Sequence, residues 1–182
     1  MLHVGAVGAA SALKLAMNVN IALVCQALSE SLTLSRAAGL SDETYFVALK
    51  LNASRSGVSD LKEPKLRAGD YSPQFSLKHM DKDLRLALEG AAGLPLPQLR
   101  QVKELYARGM AAGWGDEDFA VFFGQGRRAA GLAAAGALAG QVEAGVAVAE
   151  RFQLVAGVHR GGVALGPGSE EGVIGVHSAK RV

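Results

Sequence analysis

The chain contains a single cysteine, Cys25, in 182 residues. One cysteine cannot form an intramolecular disulfide, and no metal-ligand spacing surrounds it. Because Cys25 lies within an apolar, helix-like pattern, we interpret it as a small buried hydrophobic residue. The cysteine content therefore requires neither an oxidising compartment nor a metal.

An excess of either charge is also absent, since 19 basic residues face 17 acidic ones and the formal net charge is only +2. Such a balance gives no general electrostatic attraction to nucleic acid or anionic lipid, so we predict neither as a partner. With 49% apolar and 20% charged residues, the composition is that of an ordinary soluble protein. The length fits one domain, or one domain with an appendage.

The run from Met1 to Ser29 is long enough for a membrane span, which needs about 20 apolar residues. Lys14, Asn18 and Asn20 lie near its middle. A central lysine costs about 2.5–3.5 kcal/mol on insertion scales. An export signal would place basic residues ahead of the apolar stretch, and "MLHVGAVG" has none. We therefore predict a soluble, cytoplasmic protein.

Apolar residues recur at three- and four-residue spacing from Leu13 to Leu32, which predicts one very long helix over 9–38, ended by Gly39. Its length of about 45 Å requires cover from other helices or from a second subunit. Ser41, followed by two acidic residues, predicts the start of a second helix that fades by Ser54.

The stretch 53–73 is rich in serine, glycine, proline and charge, and we interpret it as a loop. Further helices are predicted after Pro73, over "QLRQVKELYARGMAAG", and from "WGDEDFAVFF" onward. No alternating strand pattern precedes residue 150, so residues 1–124 are predicted to form an all-α domain. The alanine- and glycine-rich residues 125–182 are predicted to be poorly ordered or loosely packed.

Lys14 and Asn18 are four residues apart, so a helix would place them on one face. An ammonium beside an amide can hold and polarise a carbonyl or a carboxylate. A lysine in an apolar wall would lose hydration, which suits it to proton transfer near neutral pH. The same spacing is common in purely structural pairs, and the residues alone leave both interpretations open.

The stretch "VGAVGAASALKLAMN" resembles the start of the C-terminal half of the β-hydroxyacid dehydrogenases, which include the 3-hydroxyisobutyrate dehydrogenases. In that family a G-x-x-G turn leads into a long inter-domain helix carrying K-x-x-x-N. The stretches "SESLTLSRAAGLS", "YSPQFSLKHMDKDLRLAL" and "ELYARGMAAGWGDEDF" follow in the family's order. The resemblance covers residues 4–123 and is strongest to the glyoxylate and succinic semialdehyde reductases, which share F-x-L-K-H-x-x-K-D-x-R-L-A-L.

The resemblance implies a helical bundle around the long first helix, like the C-terminal domain of 6-phosphogluconate dehydrogenase. It implies that Lys14 is the general acid that protonates the carbonyl oxygen of a small carboxylate or aldehyde substrate. Asn18 would position that substrate, together with the turn at Gly5 and Gly8. A homodimer built around the long helix is also expected.

On the cofactor side, the resemblance makes Lys82 the lysine that closes over the nicotinamide of NADPH or NADH. Phe75 and Asp83 would line or brace the same site, and no metal is expected. The residues alone would place Lys82 on a solvated face. His3 and His79 stand at no catalytic spacing from a serine, cysteine or carboxylate and receive no role.

Complete members of the family open with a Rossmann domain carrying G-x-G-x-x-G. This chain has no G-x-G-x-x-G, and its "GAVGAA" has the wrong spacing. We therefore expect an N-terminal Rossmann domain to be absent and the cofactor to be bound mainly outside this chain. The first hypothesis is the catalytic half of an NADPH-dependent reductase of a small aldehyde acid. The alternatives are a truncated, inactive oligomerisation remnant and an unrelated helical or membrane-associated protein.

Overall fold

The computed structural model describes residues 3–124, and in that range the chain is helical with no β-strand. The all-α prediction is confirmed for this part. The predicted loosely packed region, 125–182, lies outside the described residues, so the proposed domain boundary stays a prediction. The elements are α1 (Ala9–Ala37), α2 (Asp42–Leu51), α3 (Gly57–Ala68), α4 (Leu77–Gly90), α5 (Pro97–Ala111) and a 3-10 helix, Phe119–Gly124.

Helix α1 has 29 residues, one fewer than predicted, and is about 44 Å long. Gly39, at φ +80°, ends it as expected, and the N–H of Leu40 donates to Ser35 O at 3.1 Å. The buried positions Ala22, Cys25 and Leu28 are spaced by three residues and fix the inward face. The interpretation of Cys25 as a buried, free thiol is confirmed.

By length and composition α1 could also cross a membrane. The core helix of a globular domain passes the same test, because it too is long and apolar. The part of α1 up to Thr33 belongs to one compact unit with residues 56–124, and residues 34–55 belong to a second. The predicted absence of a membrane partner stays a prediction.

The turn between α1 and α2 is closed by a bidentate ion pair. Arg36, in the last turn of α1, donates from Nε to Asp42 Oδ1 at 2.7 Å and from Nη2 to Oδ2 at 2.8 Å. Ser41 is the N-cap of α2, and its Oγ accepts from Thr44 N at 3.1 Å. The predicted start of the second helix is confirmed.

The prediction of a loop over 53–73 is wrong for its central part, which forms α3. Ser56 and Ser59 make a reciprocal capping box that starts this helix, with N···O distances of 3.1 Å and 2.9 Å. Its buried residues include Lys62 and Glu63, so an apolar period does not reveal the inward face. Pro64 lies inside the helix and removes one backbone donor.

Helices α4 and α5 pack against each other, and α4 also contacts the 3-10 helix. Gly109 allows the close approach, since a Cβ there would lie 2.9 Å from both Leu77 and Phe122. The fifth α-helix predicted from "WGDEDFAVFF" is wrong, because a 3-10 helix starts only at Phe119. The side chain of Asp118, which lies in this stretch, is buried. The core of this packing consists of Leu77, Met80, Leu84, Leu99, Val102, Tyr106, Phe119 and Phe122.

Candidate active site

A buried carboxylate, Asp83 of α4, collects donors from two helices. The Nζ of Lys14 lies 2.5 Å from Asp83 Oδ2, and the Nδ2 of Asn18 donates to the same oxygen at 2.7 Å. The Nζ of Lys82 lies 3.3 Å from Asp83 Oδ1. The structure thus brings Lys14, Asn18, Lys82 and Asp83 together, although 69 positions separate the first from the last.

The helix geometry explains how this cluster forms. Lys14 and Asn18 are one turn apart on α1, so both side chains reach the same carboxylate oxygen. On α4, Asp83 stands between buried Met80 and Leu84 and shares their inward face. Its side chain is only 1% exposed, whereas that of the adjacent Lys82 is 51% exposed.

The hydrogen bonds decide the ionisation of Asp83. Burial raises the pKa of its carboxyl group, but the hydrogen bonds from Lys14, Asn18 and Lys82 outweigh that effect. The pKa therefore lies below the ordinary aspartate value, and Asp83 is ionised at neutral pH. The cluster combines one carboxylate with two lysine side chains, which leaves a net positive charge at its exposed edge.

Lys14 does not lie in an apolar wall. Its side chain is 55% exposed, and its ammonium contacts a carboxylate instead of apolar groups. The exposed edge of α1 and the buried face of α4 meet at this position, so Lys14 reaches Asp83 from the solvent side.

A cavity of about 570 Å³ adjoins the cluster. Asn18 and Phe75 both line it, whereas Lys14, Lys82 and Asp83 are not among its lining residues. Gly5 and Gly8 form an exposed turn before α1, at φ +116° and +95°, and do not line the cavity either. The other walls of the cavity are mainly apolar and include Ile21, Val24, Val58, Leu61, Met80 and Phe119.

His79, which received no role from the sequence, lies outside this cluster. His79 Nδ1 lies 2.6 Å from Ser76 Oγ, and its ring centre lies 5.8 Å from that of Phe75. Among residues 3–124, no group of three or more histidine, cysteine and acidic side chains could hold a metal ion. The roles assigned to Lys14, Asn18, Gly5, Gly8, Lys82, Phe75 and Asp83 stay predictions.

Sequence reasoning did not identify one further charged pair, Lys62 and Asp118. They are 56 positions apart, and their ammonium and carboxylate meet with both side chains 1% exposed. Lys62 also lines the cavity. No local spacing marks such a pair, because only the tertiary fold brings it together.

Residues 8–123 match a family model described as NAD-binding of NADP-dependent 3-hydroxyisobutyrate dehydrogenase. The chain belongs to this family. The resemblance drawn from the motifs is confirmed, and the family's description names an NADP-dependent dehydrogenase. A 3-hydroxyisobutyrate dehydrogenase from Salmonella typhimurium shares the fold, with a TM-score of 0.60 at 24% identity over 64% of this chain and 41% of that one.

Several relatives indicate the range of the 3-hydroxyisobutyrate dehydrogenase family. Glyoxylate/succinic semialdehyde reductase 1 of Arabidopsis thaliana is 34% identical over 64% of this chain and 41% of its own length. 2-(Hydroxymethyl)glutarate dehydrogenase of Eubacterium barkeri is 33% identical over 64% of this chain and 40% of its own. The structure of Mycobacterium tuberculosis 3-hydroxyisobutyrate dehydrogenase with L-serine has a TM-score of 0.62 at 28% identity. The match covers 67% of this chain and 45% of that one. The chain thus spans about two fifths of the length of these curated relatives.

Proposed function

We propose that this chain supplies the helical, substrate-binding half of an NADPH- or NADH-dependent β-hydroxyacid dehydrogenase. Its substrate would be a small aldehyde acid, such as glyoxylate or succinic semialdehyde, which is reduced to the hydroxy acid. The observation that carries the proposal is the convergence of Lys14 and Asn18 on the buried carboxylate of Asp83. Family membership supports the reaction class, and the small acid substrate is inferred from the relatives' names.

The proposed chemistry needs a proton at the carbonyl oxygen. Lys14 Nζ gives that proton, and the oxygen becomes the new hydroxyl group. Asn18, held beside Lys14 through the same Asp83 oxygen, positions the substrate by its amide. Asp83 orients both groups and keeps the lysine ammonium at the solvent-facing edge, where a substrate can reach it. General acid catalysis of this kind contributes about 10²- to 10⁴-fold in rate.

The side chains at this edge fit a nicotinamide nucleotide. Lys82 and Lys14 are more than half exposed, so their ammonium groups can meet an anionic ligand, and Phe75 offers an aromatic wall on the cavity. When bound, the nicotinamide supplies the hydride that reaches the carbonyl carbon. Lys82 would hold the cofactor and Phe75 would line its ring. We propose that a Rossmann domain outside residues 1–124 binds most of the nucleotide, through backbone N–H groups at a helix N-terminus.

We further propose that the protein is a cytoplasmic homodimer assembled along α1. Leu13 and Met17 of this helix are 42% and 50% exposed, which leaves large apolar side chains in contact with water. Contiguous apolar surface of a few hundred Å² marks an interaction site. Sedimentation velocity tests the assembly: a stable, non-aggregating monomer at micromolar concentration contradicts it.

The activity test measures NADPH oxidation with glyoxylate and with succinic semialdehyde. We expect no turnover by the 182-residue chain alone, because positioning of the nicotinamide is worth about 7–11 kcal/mol of barrier. Joined to a nucleotide-binding domain from a family member, the chain should reduce at least one of the two aldehydes. Lys14→Ala should then lower kcat by about 10²-fold or more while leaving the helix content unchanged.

Lys78→Ala is the matched control for Lys14→Ala. Lys78 is 49% exposed and also pairs with an aspartate at 2.5 Å, but that aspartate is the exposed Asp116. Its replacement should leave kcat within twofold of the unmodified protein. An active Lys14→Ala variant would refute the role given to the lysine. A folded but inactive joined protein would favour the alternative, an inactive oligomerisation remnant.

A further inference from the structure

The ion pair between Lys62 of α3 and Asp118 is the most deeply buried charge cluster of the described residues. Both side chains are 1% exposed, and Lys62 Nζ lies 2.8 Å and 2.9 Å from the two carboxylate oxygens. The same ammonium donates to Gln74 Oε1 at 3.0 Å and lies 4.4 Å from the centre of the Phe119 ring. Three hydrogen bonds thus use all three ammonium donors.

The carboxylate of Asp118 also accepts backbone N–H groups from the segment before α4. Its Oδ2 accepts from Gln74 N at 2.9 Å and from Phe75 N at 3.4 Å, and its Oδ1 accepts from Ala120 N at 3.0 Å. The backbone adds two bonds, from Asp118 N to Tyr71 O at 2.8 Å and from Phe119 N to Phe75 O at 3.0 Å. The non-helical stretch that carries Phe75 is therefore held by the buried Asp118 carboxylate together with these two backbone hydrogen bonds.

We propose that Lys62 and Asp118 are positioning residues, which fix Phe75 and the entry to α4 against the cavity. The catalytic consequence rests on the proposed function, in which Phe75 lines the nicotinamide. The positional claim itself concerns only this chain. Lys62 orients the carboxylate through its two hydrogen bonds, and Asp118 in that orientation accepts the two amides.

Stability and position can be separated, because buried ion pairs are often replaceable by apolar side chains of similar volume at no loss of stability. Methionine and leucine could fill the volume of Lys62 and Asp118. Neither can accept the N–H groups of Gln74 and Phe75. Replacing both residues should therefore keep the fold but release the stretch that carries Gln74 and Phe75. If the ion pair served only stability, this stretch would stay in place.

The test is amide hydrogen exchange, followed by NMR, in the full chain and in Lys62→Met/Asp118→Leu. We expect exchange at Gln74 and Phe75 to become at least tenfold faster, with amides of α5 unchanged. Lys103→Met is the matched control, since Lys103 also pairs with an aspartate at 2.8 Å, but that aspartate is Asp81, outside the stretch that carries Phe75. It should leave exchange at Gln74 and Phe75 within twofold.

Asp118→Asn is measured in parallel, because the double variant could fail to fold. Asparagine keeps the shape of the aspartate side chain and one of its acceptor oxygens. We expect at least threefold faster exchange at Phe75 in this variant. Wild-type exchange at Gln74 and Phe75 in either folded variant overturns the proposal.

A catalytic measurement separates this proposal from the proposed function. In the protein joined to a nucleotide-binding domain, we expect Asp118→Asn to raise KM for NADPH at least fivefold and to change kcat by less than that. If exchange changes but the unmodified joined protein has no turnover, the proposed function fails and the positioning role stands. A KM for NADPH that is unchanged in an active, folded Asp118→Asn enzyme refutes the link between the Lys62–Asp118 pair and the cofactor.

Discussion

Replacing Asp83 by asparagine removes one negative charge from the centre of the candidate site and keeps its shape. The carboxylate accepts from Lys14 and Asn18 and lies 3.3 Å from the ammonium of Lys82. Asparagine offers a single acceptor oxygen. Its NH2 group would replace the other carboxylate oxygen and, being a donor, could not accept a hydrogen bond there. Asp83→Asn should therefore destabilise the fold at neutral pH.

The size of the effect follows from the exposure of each donor. A hydrogen bond from an amide to a charged acceptor is worth about 1.5–3 kcal/mol when buried, and the bond from Asn18 is part-buried. Lys14 and Lys82 are more than half exposed, so each ammonium contributes only about 0–1 kcal/mol. Desolvation of the carboxylate opposes these gains. We expect a net loss of about 1–2 kcal/mol in the free energy of unfolding, a value that combines these terms.

The pH dependence gives the sharper measurement. The pKa of Asp83 is lowered in the folded protein, so its contribution to stability is present above the unfolded-state pKa of about 3.9. That contribution is lost as the pH falls through the lower, folded pKa. The difference in unfolding free energy between wild type and Asp83→Asn should be complete at pH 7 and should narrow below about pH 4.

Urea unfolding followed by circular dichroism at 222 nm measures this difference at pH 7, 4 and 3. Asp116→Asn is the control, because Asp116 also pairs with a lysine at 2.5 Å but is 87% exposed. It should leave the stability at pH 7 nearly unchanged. A difference for Asp83→Asn that is absent at pH 7, or that stays constant down to pH 3, would refute the reasoning.

Three further predictions concern packing and helix capping. Burial raises the pKa of the Cys25 thiol. A thiol reagent such as 5,5′-dithiobis(2-nitrobenzoic acid) should therefore react with Cys25 only after urea unfolding. Rapid reaction of the native protein would contradict the burial of this thiol. Gly109→Ala should destabilise by about 1–3 kcal/mol, because its Cβ meets two buried side chains, whereas Gly90→Ala, with open space, should be neutral or slightly stabilising in the same thermal scan. Ser56→Ala should cost about 1 kcal/mol of unfolding free energy by removing the capping box of α3, and an unchanged stability would show that the box is dispensable.

Much of the helical fold could be predicted because apolar spacing and caps are local signals. The glycine at 39 and the serine at 41 placed the end of α1 and the start of α2 correctly. Helix α3 escaped prediction because its inward face carries Lys62 and Glu63, and because Pro64 suggested a break. A periodicity argument sees a helix only where the buried positions are apolar.

The candidate site shows the same limit. Lys14 and Asn18 could be paired from their spacing alone, whereas Asp83 entered only through the family resemblance. Asp118 lies in the stretch predicted to open a fifth helix, and its partner, Lys62, lies 56 positions away. Whether a charged side chain is exposed or paired in the interior is decided by the tertiary contact, which no local pattern encodes.

The turn between α1 and α2 should couple the local unfolding of the two helix ends that it joins. Arg36 stands where the carbonyl groups of α1 accumulate partial negative charge, and Asp42 stands where the N–H groups of α2 accumulate partial positive charge. Because the two side chains also bond to each other, neither can leave its helix end without releasing the other. The last turn of α1, the Gly39 turn and the first turn of α2 should therefore fray together, with one shared opening free energy for their amides.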